Sequence, residues 1–243
     1  MTKKLNTIEL FAGCGGFVDG FEKTGLYNTL ACVEWQEKQC EVLRERLRTK
    51  YHFENTESTV LRFDIQRTEE LLNGWNDEEY GGGDGLNSII NNANIDLIIG
   101  GPPCQAYSIA GRVQDDNSME YDYRNYLFES YLRVVEVYRP KIIVFENVEG
   151  LLSAKPGGIN IVDRIKKAFN KADYDIVDDI RKYALLDLSQ FGVPQKRKRV
   201  ILVGLNREYF KCDNQKLLRY FYENILGEYK VSKVNTVFDA IGD

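Results

Sequence analysis

The order of apolar runs along the chain constrains its fold more than any other feature. Five short apolar runs bounded by turn residues alternate with segments of helical periodicity. The runs are Thr7–Phe11, Asn28–Val33, Val60–Phe63, Asp96–Ile99 and Lys141–Phe145. Strands that alternate with helices form a mostly parallel sheet that is covered by helices. We therefore predict an α/β, doubly wound fold.

The rest of the chain gives a coarser pattern. Helices are predicted over Phe17–Thr24, 36–50, Leu127–Tyr138 and 161–172. The stretch Asn73–Asn94 is rich in glycine and asparagine and is expected to be a surface loop. After Tyr174 the pattern predicts two further strands, Asp175–Ala184 and Arg199–Leu205, and hence an antiparallel edge hairpin.

Composition narrows the class of protein. With 243 residues, 43% of them hydrophobic and 28% charged, the chain can bury the core of one large domain or two small ones. No apolar run approaches the length of a membrane span, and Glu9 interrupts any signal-like segment at the N-terminus. We expect a cytoplasmic protein with no membrane partner.

The cysteines and the net charge exclude two kinds of function. Five scattered cysteines without a Cys-x-x-Cys pair, and a single histidine, His52, suit free thiols rather than disulfides or a structural zinc site. A net charge of −5 argues against a protein that coats nucleic acid. The local basic cluster Lys196–Arg199 could still contact phosphates.

A glycine turn follows the first predicted strand and indicates a nucleoside site. The turn is Ala12–Gly16, and Glu34-Trp35 follows the second strand about 20 residues later. The dinucleotide pattern Gly-x-Gly-x-x-Gly fails because position 18 is Val18. An adenine nucleoside without a diphosphate fits better, with Trp35 offering an aromatic face. The alternative is a glycine-rich turn that binds nothing.

Acidic and thiol side chains end four of the predicted strands, at Glu34, Asp64, Cys104 and Glu146. Ligands bind at the carboxyl edge of such sheets, so Cys104 is a candidate nucleophile, although a lone cysteine is more often a small buried residue. Residues 105–125 form a long polar connection, which is typical of an active-site lid.

Five motifs, in this order, resemble those of the cytosine-C5 DNA methyltransferases over essentially the whole chain. They are Phe11-Ala-Gly-Cys-Gly-Gly16, Glu34-Trp35, Gly101-Pro-Pro-Cys-Gln105 with Ser108, Glu146-Asn-Val148 and Gln195-x-Arg197-x-Arg199. The resemblance implies the Rossmann-like sheet of S-adenosylmethionine-dependent methyltransferases. It also implies S-adenosylmethionine as methyl donor, S-adenosylhomocysteine as product, and a cytosine flipped out of duplex DNA as acceptor.

The resemblance assigns residues to three groups. The catalytic group is Cys104, Glu146, Arg197 and Arg199. The cofactor group is Phe11, Ala12, Gly13, Gly15, Gly16, Glu34, Trp35, Asp64, Ile65, Gly101, Pro103 and Leu127. The DNA group is Gln105, Ser108, Arg112, Asn147, Gln195, Arg197 and Arg199, and no metal is implied. Within the cofactor group, Glu34 would hold the ribose hydroxyls, Trp35 would stack on adenine, and Asp64 would accept from the exocyclic amine.

The chemistry explains why these residue types are needed. A thiolate that adds to C6 of cytosine breaks the aromaticity of the ring and makes C5 nucleophilic. A carboxyl group at N3 should then donate or share a proton, which requires Glu146 to have a raised pKa. Arg199 can bind the cytosine O2 and help to keep the thiol ionised. No residue is nominated as the base that removes the C5 proton.

The chain departs from the family pattern after Thr236, where a target-recognition region and a terminal segment normally follow. We expect a catalytic subunit, residues 1–243, that works with a second polypeptide as a heterodimer, in a restriction-modification system. A truncated product is the plain alternative. Two other functions stay open: a regulatory subunit that only binds the cofactor, and a methyltransferase that acts on transfer RNA.

Overall fold

A computed structural model describes residues 3–103, 127–155 and 158–242 of the chain. These residues divide into two compact units. The first contains the described residues up to Pro103 together with Leu127–Val144, and the second contains those from Phe145 onward. No helix in the described ranges is long and apolar enough to cross a membrane.

The first unit is built on a parallel arrangement of strands. Its strands are β1 (Leu5–Leu10), β2 (Tyr27–Glu34), β3 (Val60–Arg62), β4 (Trp75–Asp77), β5 (Gly81–Gly83), β6 (Leu97–Gly100) and the start of β7 (Ile142–Val148). The order is β3-β2-β1-β6-β7, and β1 pairs in parallel with both β2 and β6. Its helices are α1 (Gly16–Glu22), α2 (Glu37–Tyr51), α3 (Thr56–Thr59), α4 (Thr68–Asn73), α5 (Gly85–Ile90) and α6 (Leu127–Tyr138).

Helix α2 packs against the core side of the glycine turn. Cys40, Leu43 and Leu47 recur at helical spacing and are completely buried. They pack in one cluster with Ala12 of the turn and Val18 of α1. Because interiors are close-packed, the turn is held from below by apolar side chains.

The prediction of a surface loop over residues 73–94 is wrong. This stretch forms the antiparallel hairpin of β4 and β5 and then helix α5. The reason is apolar burial: the Trp75 ring stacks on Phe63 at 4.2 Å, and Leu86 and Ile90 are buried. Three large apolar side chains outweigh the glycine and asparagine that surround them.

The second unit continues β7 and adds antiparallel pairs. Its further strands are β8 (Tyr174–Ile176), β9 (Leu185–Asp187) and β10 (Lys198–Asn206). The order is β7-β10-β8, and β10 pairs antiparallel with both β8 and β9. Its helices are α7 (Ile161–Lys171), α8 (Ile180–Tyr183), α9 (Asn214–Tyr220), α10 (Leu226–Glu228) and α11 (Val237–Ile241), with a π-helical turn at Phe221–Ile225 and 3₁₀ turns at Glu149–Ser153 and Leu188–Phe191.

The predicted strand Asp175–Ala184 is also wrong, because β8 ends at Ile176 and α8 follows it. The side chain of Asp179 caps α8 by accepting from the Lys182 N–H at 2.9 Å, so the local capping preference stops the strand. The fold class itself is confirmed: a mixed α/β protein with a mostly parallel sheet and an antiparallel hairpin.

Candidate functional site

The glycine turn after β1 has a backbone that alternates into the left-handed region. Phe11, Gly13 and Gly15 have φ values of 58°, 54° and 81°. A Cβ on Gly15 would lie 2.4 Å from Leu43 Cδ1, so only glycine fits there. At Gly16 an added Cβ would meet nothing within 4 Å, so the turn is closed toward the core and open beside α1.

The Glu34 carboxylate is held rigidly at the end of β2. Its Oε2 accepts the Gly13 N–H at 2.8 Å, and its Oε1 accepts the N–H groups of Trp35 at 3.0 Å and Gln36 at 2.9 Å. The side chain is only 6% exposed. Its Oε1 already accepts two donors, but its Oε2 keeps a second lone pair, so a carboxylate fixed in this way can still accept a hydroxyl donor.

Trp35 and Asp64 complete the part of the site that suits a nucleoside. The Trp35 side chain is 47% exposed and presents an open aromatic face beside Glu34. The Phe63 N–H donates to the Glu34 carbonyl at 3.0 Å, which ties the turn after β3 to the end of β2. In that turn Asp64 is half-buried, with its Oδ1 accepting the Gln66 N–H at 2.9 Å, and Ile65 is buried. A fixed carboxylate, an exposed aromatic face and a second carboxylate thus share one sheet edge.

The remaining cofactor positions also lie in the first unit. Gly101 and Pro103 follow β6 directly, with Gly101 half-buried and Pro103 exposed, and Leu127 is the buried first residue of α6. All predicted cofactor residues therefore belong to one compact unit. The predicted residues Cys104, Gln105, Ser108 and Arg112, and the predicted lid over 105–125, lie outside the described residues.

Glu146 and Arg199 form an ion pair in the second unit. Glu146 lies at the end of the predicted strand, within β7, which extends to Val148, and Arg199 lies near the start of β10. The Arg199 Nε is 2.7 Å from the Glu146 Oε1, and the two side chains are 18% and 23% exposed. Burial raises the pKa of Glu146, and the positive charges of Arg199 and Arg197 only partly oppose that rise.

The other predicted DNA-contacting residues divide by exposure. Asn147 is 3% exposed, and its Oδ1 accepts the Val148 N–H at 2.9 Å, so its amide oxygen shapes the end of β7. Gln195 and Arg197 are exposed in the turn before β10. The Arg197 carbonyl accepts the Leu188 N–H at 2.8 Å, which fixes the backbone of that turn.

Sequence reasoning missed one residue of this region, Glu9. Its place in β1 was used only to argue against a signal segment, yet its side chain is 1% exposed and lies near Glu34. The available signal was an acid at a central position of an otherwise apolar strand.

Comparison with known proteins identifies the family. A family model described as C-5 cytosine-specific DNA methylase matches residues 5–239. The type II methyltransferase M.Bpa9945I of Bacillus paralicheniformis is 36% identical over 256 residues, which cover 86% of this chain and 56% of that protein. The type II methyltransferase M1.HphI of Haemophilus parahaemolyticus is 32% identical over 238 residues, which cover 98% of this chain and 52% of that protein.

The solved structures agree with the sequence comparison. A crystal structure described as a DNA modification methyltransferase encoded within a prophage of E. coli matches with a TM-score of 0.64 and 27% identity. The match covers 98% of this chain and 54% of that one, so this chain spans about half the length of the relatives it matches. The sequence resemblance is confirmed: the chain belongs to the C-5 cytosine-specific DNA methylase family.

Proposed function

We propose that this chain carries the cofactor-binding and catalytic part of a DNA (cytosine-5-)-methyltransferase. The reaction transfers a methyl group from S-adenosylmethionine to C5 of a cytosine flipped out of duplex DNA. The observation that carries the proposal is the half-buried Glu146–Arg199 pair, with 2.7 Å between Arg199 Nε and Glu146 Oε1. A carboxyl group with a raised pKa beside a fixed guanidinium suits the N3 and O2 edge of cytosine.

The residues of the first unit fit the proposed cofactor, which supplies an electrophilic methyl group when it is bound. Glu34 is preset as an acceptor for the ribose hydroxyls by its three backbone N–H donors. The exposed Trp35 ring offers a stacking surface for adenine, and Asp64 an acceptor for its amine. Gly16 leaves room beside the turn.

The catalytic steps follow from the residues of the family motif. The Cys104 thiolate would add to C6 of cytosine while Glu146 gives a proton to N3, which breaks the aromaticity of the ring and makes C5 nucleophilic. When bound, S-adenosylmethionine would supply the methyl group to C5 and leave as S-adenosylhomocysteine. Loss of the C5 proton to a base would then expel the thiolate and restore the aromatic ring. Arg199 supports the first step by stabilising charge at O2. The base that accepts the C5 proton is left unassigned.

We further propose that sequence recognition comes from a second polypeptide, in a heterodimeric enzyme of a bacterial restriction-modification system. The relatives are type II methyltransferases, which supports the restriction-modification system. The net charge of −5 supports the second polypeptide, because a chain that read DNA alone would need more positive surface. The enzyme would act in the cytoplasm, on the nucleoid.

Covalent trapping tests the proposal without knowledge of the recognition sequence. The full chain is incubated with S-adenosylmethionine and a DNA amplified with 5-fluorocytosine at every cytosine, both alone and with the product of a neighbouring reading frame. Because fluorine cannot leave as a proton does, the proposed mechanism leaves the chain linked to DNA through Cys104. We expect an adduct with the partner, little without it, and none with Cys104→Ala.

The other outcomes discriminate between the alternatives. An active 28.0 kDa monomer would refute the need for a second chain. Cofactor binding without an adduct on any DNA would favour a non-catalytic cofactor-binding subunit. Methylation of transfer RNA in place of DNA would move the chain to RNA-modifying enzymes.

A further inference from the structure

Glu9 is a buried acid that the proposed reaction does not use. It lies in β1, paired in register with Cys32 of β2 and with Ile99 of β6, three residues before the glycine turn begins. The side chain is 1% exposed, and its Oε2 finds no hydrogen-bond partner among the residues that the structure describes. Burying an ionised carboxylate without such partners is costly, and a neutral carboxyl group is the cheaper state.

The charges around Glu9 favour the neutral state further. Glu34 and Cys32 face it from β2, and Glu22 of α1 lies near the same thiol. Burial, and then the negative charge of Glu34, raise the pKa of Glu9 to about 8, although the nearby Val18 backbone N–H lowers it. Among the residues that the structure describes, no basic side chain contributes to that shift.

Glu34 and Glu9 differ in the number of hydrogen-bond donors that their carboxyl oxygens accept, and this difference indicates which of the two carries the negative charge. Glu34 accepts three backbone N–H groups, which stabilise a carboxylate. Glu9 has an oxygen without a partner, so it is the member of the pair that keeps a proton. Ionising Glu9 would place a second negative charge near the carboxylate that accepts the Gly13 N–H.

We propose that Glu9 is a positioning residue of the cofactor pocket that works as a neutral carboxylic acid, so that its ionisation weakens binding of the S-adenosyl nucleoside. The inference rests on the proposed function, because it takes the pocket at Glu34 to be the cofactor site. Glu9 acts through Glu34 and the glycine turn and does not touch the cofactor.

The affinity for S-adenosylhomocysteine between pH 6 and pH 9.5 tests the proposal. With a Glu9 pKa of about 8, only about one molecule in 30 keeps the proton at pH 9.5, so the affinity of the wild-type chain falls by up to about 30-fold. Glu9→Gln mimics the neutral acid and should lose no affinity through this group. The ratio of the two affinities removes the titration of the ligand's own amine, which is common to both proteins.

A measurement on the wild-type chain covers the case in which Glu9→Gln fails to fold. By linkage, a ligand that binds the neutral form more tightly raises the pKa of that group. Infrared titration should therefore show a protonated-carboxyl band that persists above pH 7 and disappears at a higher pH when S-adenosylhomocysteine is saturating. A merely structural role for Glu9 would not move this titration.

The failures are distinguishable. Parallel pH profiles for wild type and Glu9→Gln, or a carboxyl band that titrates identically with and without ligand, would overturn the role of Glu9 and leave the proposed function intact. Absence of S-adenosylhomocysteine binding by the wild-type chain at every pH would refute the proposed cofactor, and the role of Glu9 with it.

Discussion

Replacing Glu34 by glutamine tests whether the pocket is organised by a carboxylate. The carboxylate accepts three backbone N–H groups at 2.8 to 3.0 Å. Hydrogen bonds to a charged group contribute about 1.5–3 kcal/mol each, and neutral ones about 0.5–1.5 kcal/mol. Glutamine keeps a single acceptor oxygen, which can serve Trp35 and Gln36 together, while its NH₂ group faces the Gly13 N–H.

The expected cost in folding free energy follows from that geometry. One charge-assisted bond is lost and two are weakened, a gross loss of roughly 3–5 kcal/mol. Glu34 is only 6% exposed, so removing its charge also removes the cost of burying that charge. This gain offsets part of the lost hydrogen-bond energy, and we expect a net loss in folding free energy of about 2–3 kcal/mol. For a chain of this length Tm should fall by roughly 5–10 °C. Losing the charged acceptor for the ribose should weaken S-adenosylhomocysteine binding by a further 10- to 100-fold, roughly.

Thermal unfolding and calorimetric titration with S-adenosylhomocysteine measure the two effects separately. Glu41→Gln is the matched control, because it makes the same charge change at an exposed position of α2. We expect the control to bind normally and to unfold within about 1 °C of the wild type. Wild-type affinity and wild-type Tm for Glu34→Gln would show that the carboxylate does not organise the pocket.

Three further perturbations test other parts of the structure. Gly15→Ala should destabilise the chain by about 1–3 kcal/mol, because φ is 81° and the new Cβ would lie 2.4 Å from a core methyl group, whereas Gly16→Ala, with open space, should be near neutral by urea unfolding. Arg199→Met should raise the pKa of Glu146 further, because burial remains and an opposing charge is lost; a carboxyl ¹³C titration that shows no rise would contradict the electrostatic account. Glu9→Gln should gain stability relative to wild type as pH rises from about 4.5 to about 8, since the unfolded chain ionises Glu9 in that window and the folded chain does not. The gain is at most about 5 kcal/mol by linkage, and equal urea midpoint differences at pH 5 and pH 8 would contradict it.

The periodic part of the fold could be predicted from the sequence. Helix α6 has the predicted bounds, Leu127–Tyr138, because its apolar positions follow one face of a helix without interruption. The hairpin and helix within 73–94 were missed because their stability comes from Trp75 stacking on a residue outside that stretch. Long-range packing of this kind leaves no local signal in composition.

The site was predictable in its residue types but not in its electrostatics. Glu34 and Trp35 were identified from their place at the end of a strand, and in the structure Glu34 is buried and Trp35 is exposed. The sequence alone does not show that Glu146 is paired with Arg199, because the two residues are brought together only by the fold. The protonation state of Glu9 depends on an Oε2 atom that has no hydrogen-bond partner among the described residues and on the charge of Glu34 from the next strand. Both depend on the three-dimensional fold and cannot be read from the sequence.

The three backbone N–H groups that donate to the Glu34 carboxylate have a consequence for ligand binding. The side chain is immobilised before any ligand arrives, so binding avoids the ordering cost of about 0.5–1.5 kcal/mol that a mobile side chain would carry. In the proposed enzyme the same contacts would address the adenosine portion, which the methyl donor and the demethylated product have in common. This rigid part of the pocket would therefore not distinguish the two, and any preference for the methyl donor would have to come from contacts to the rest of the molecule.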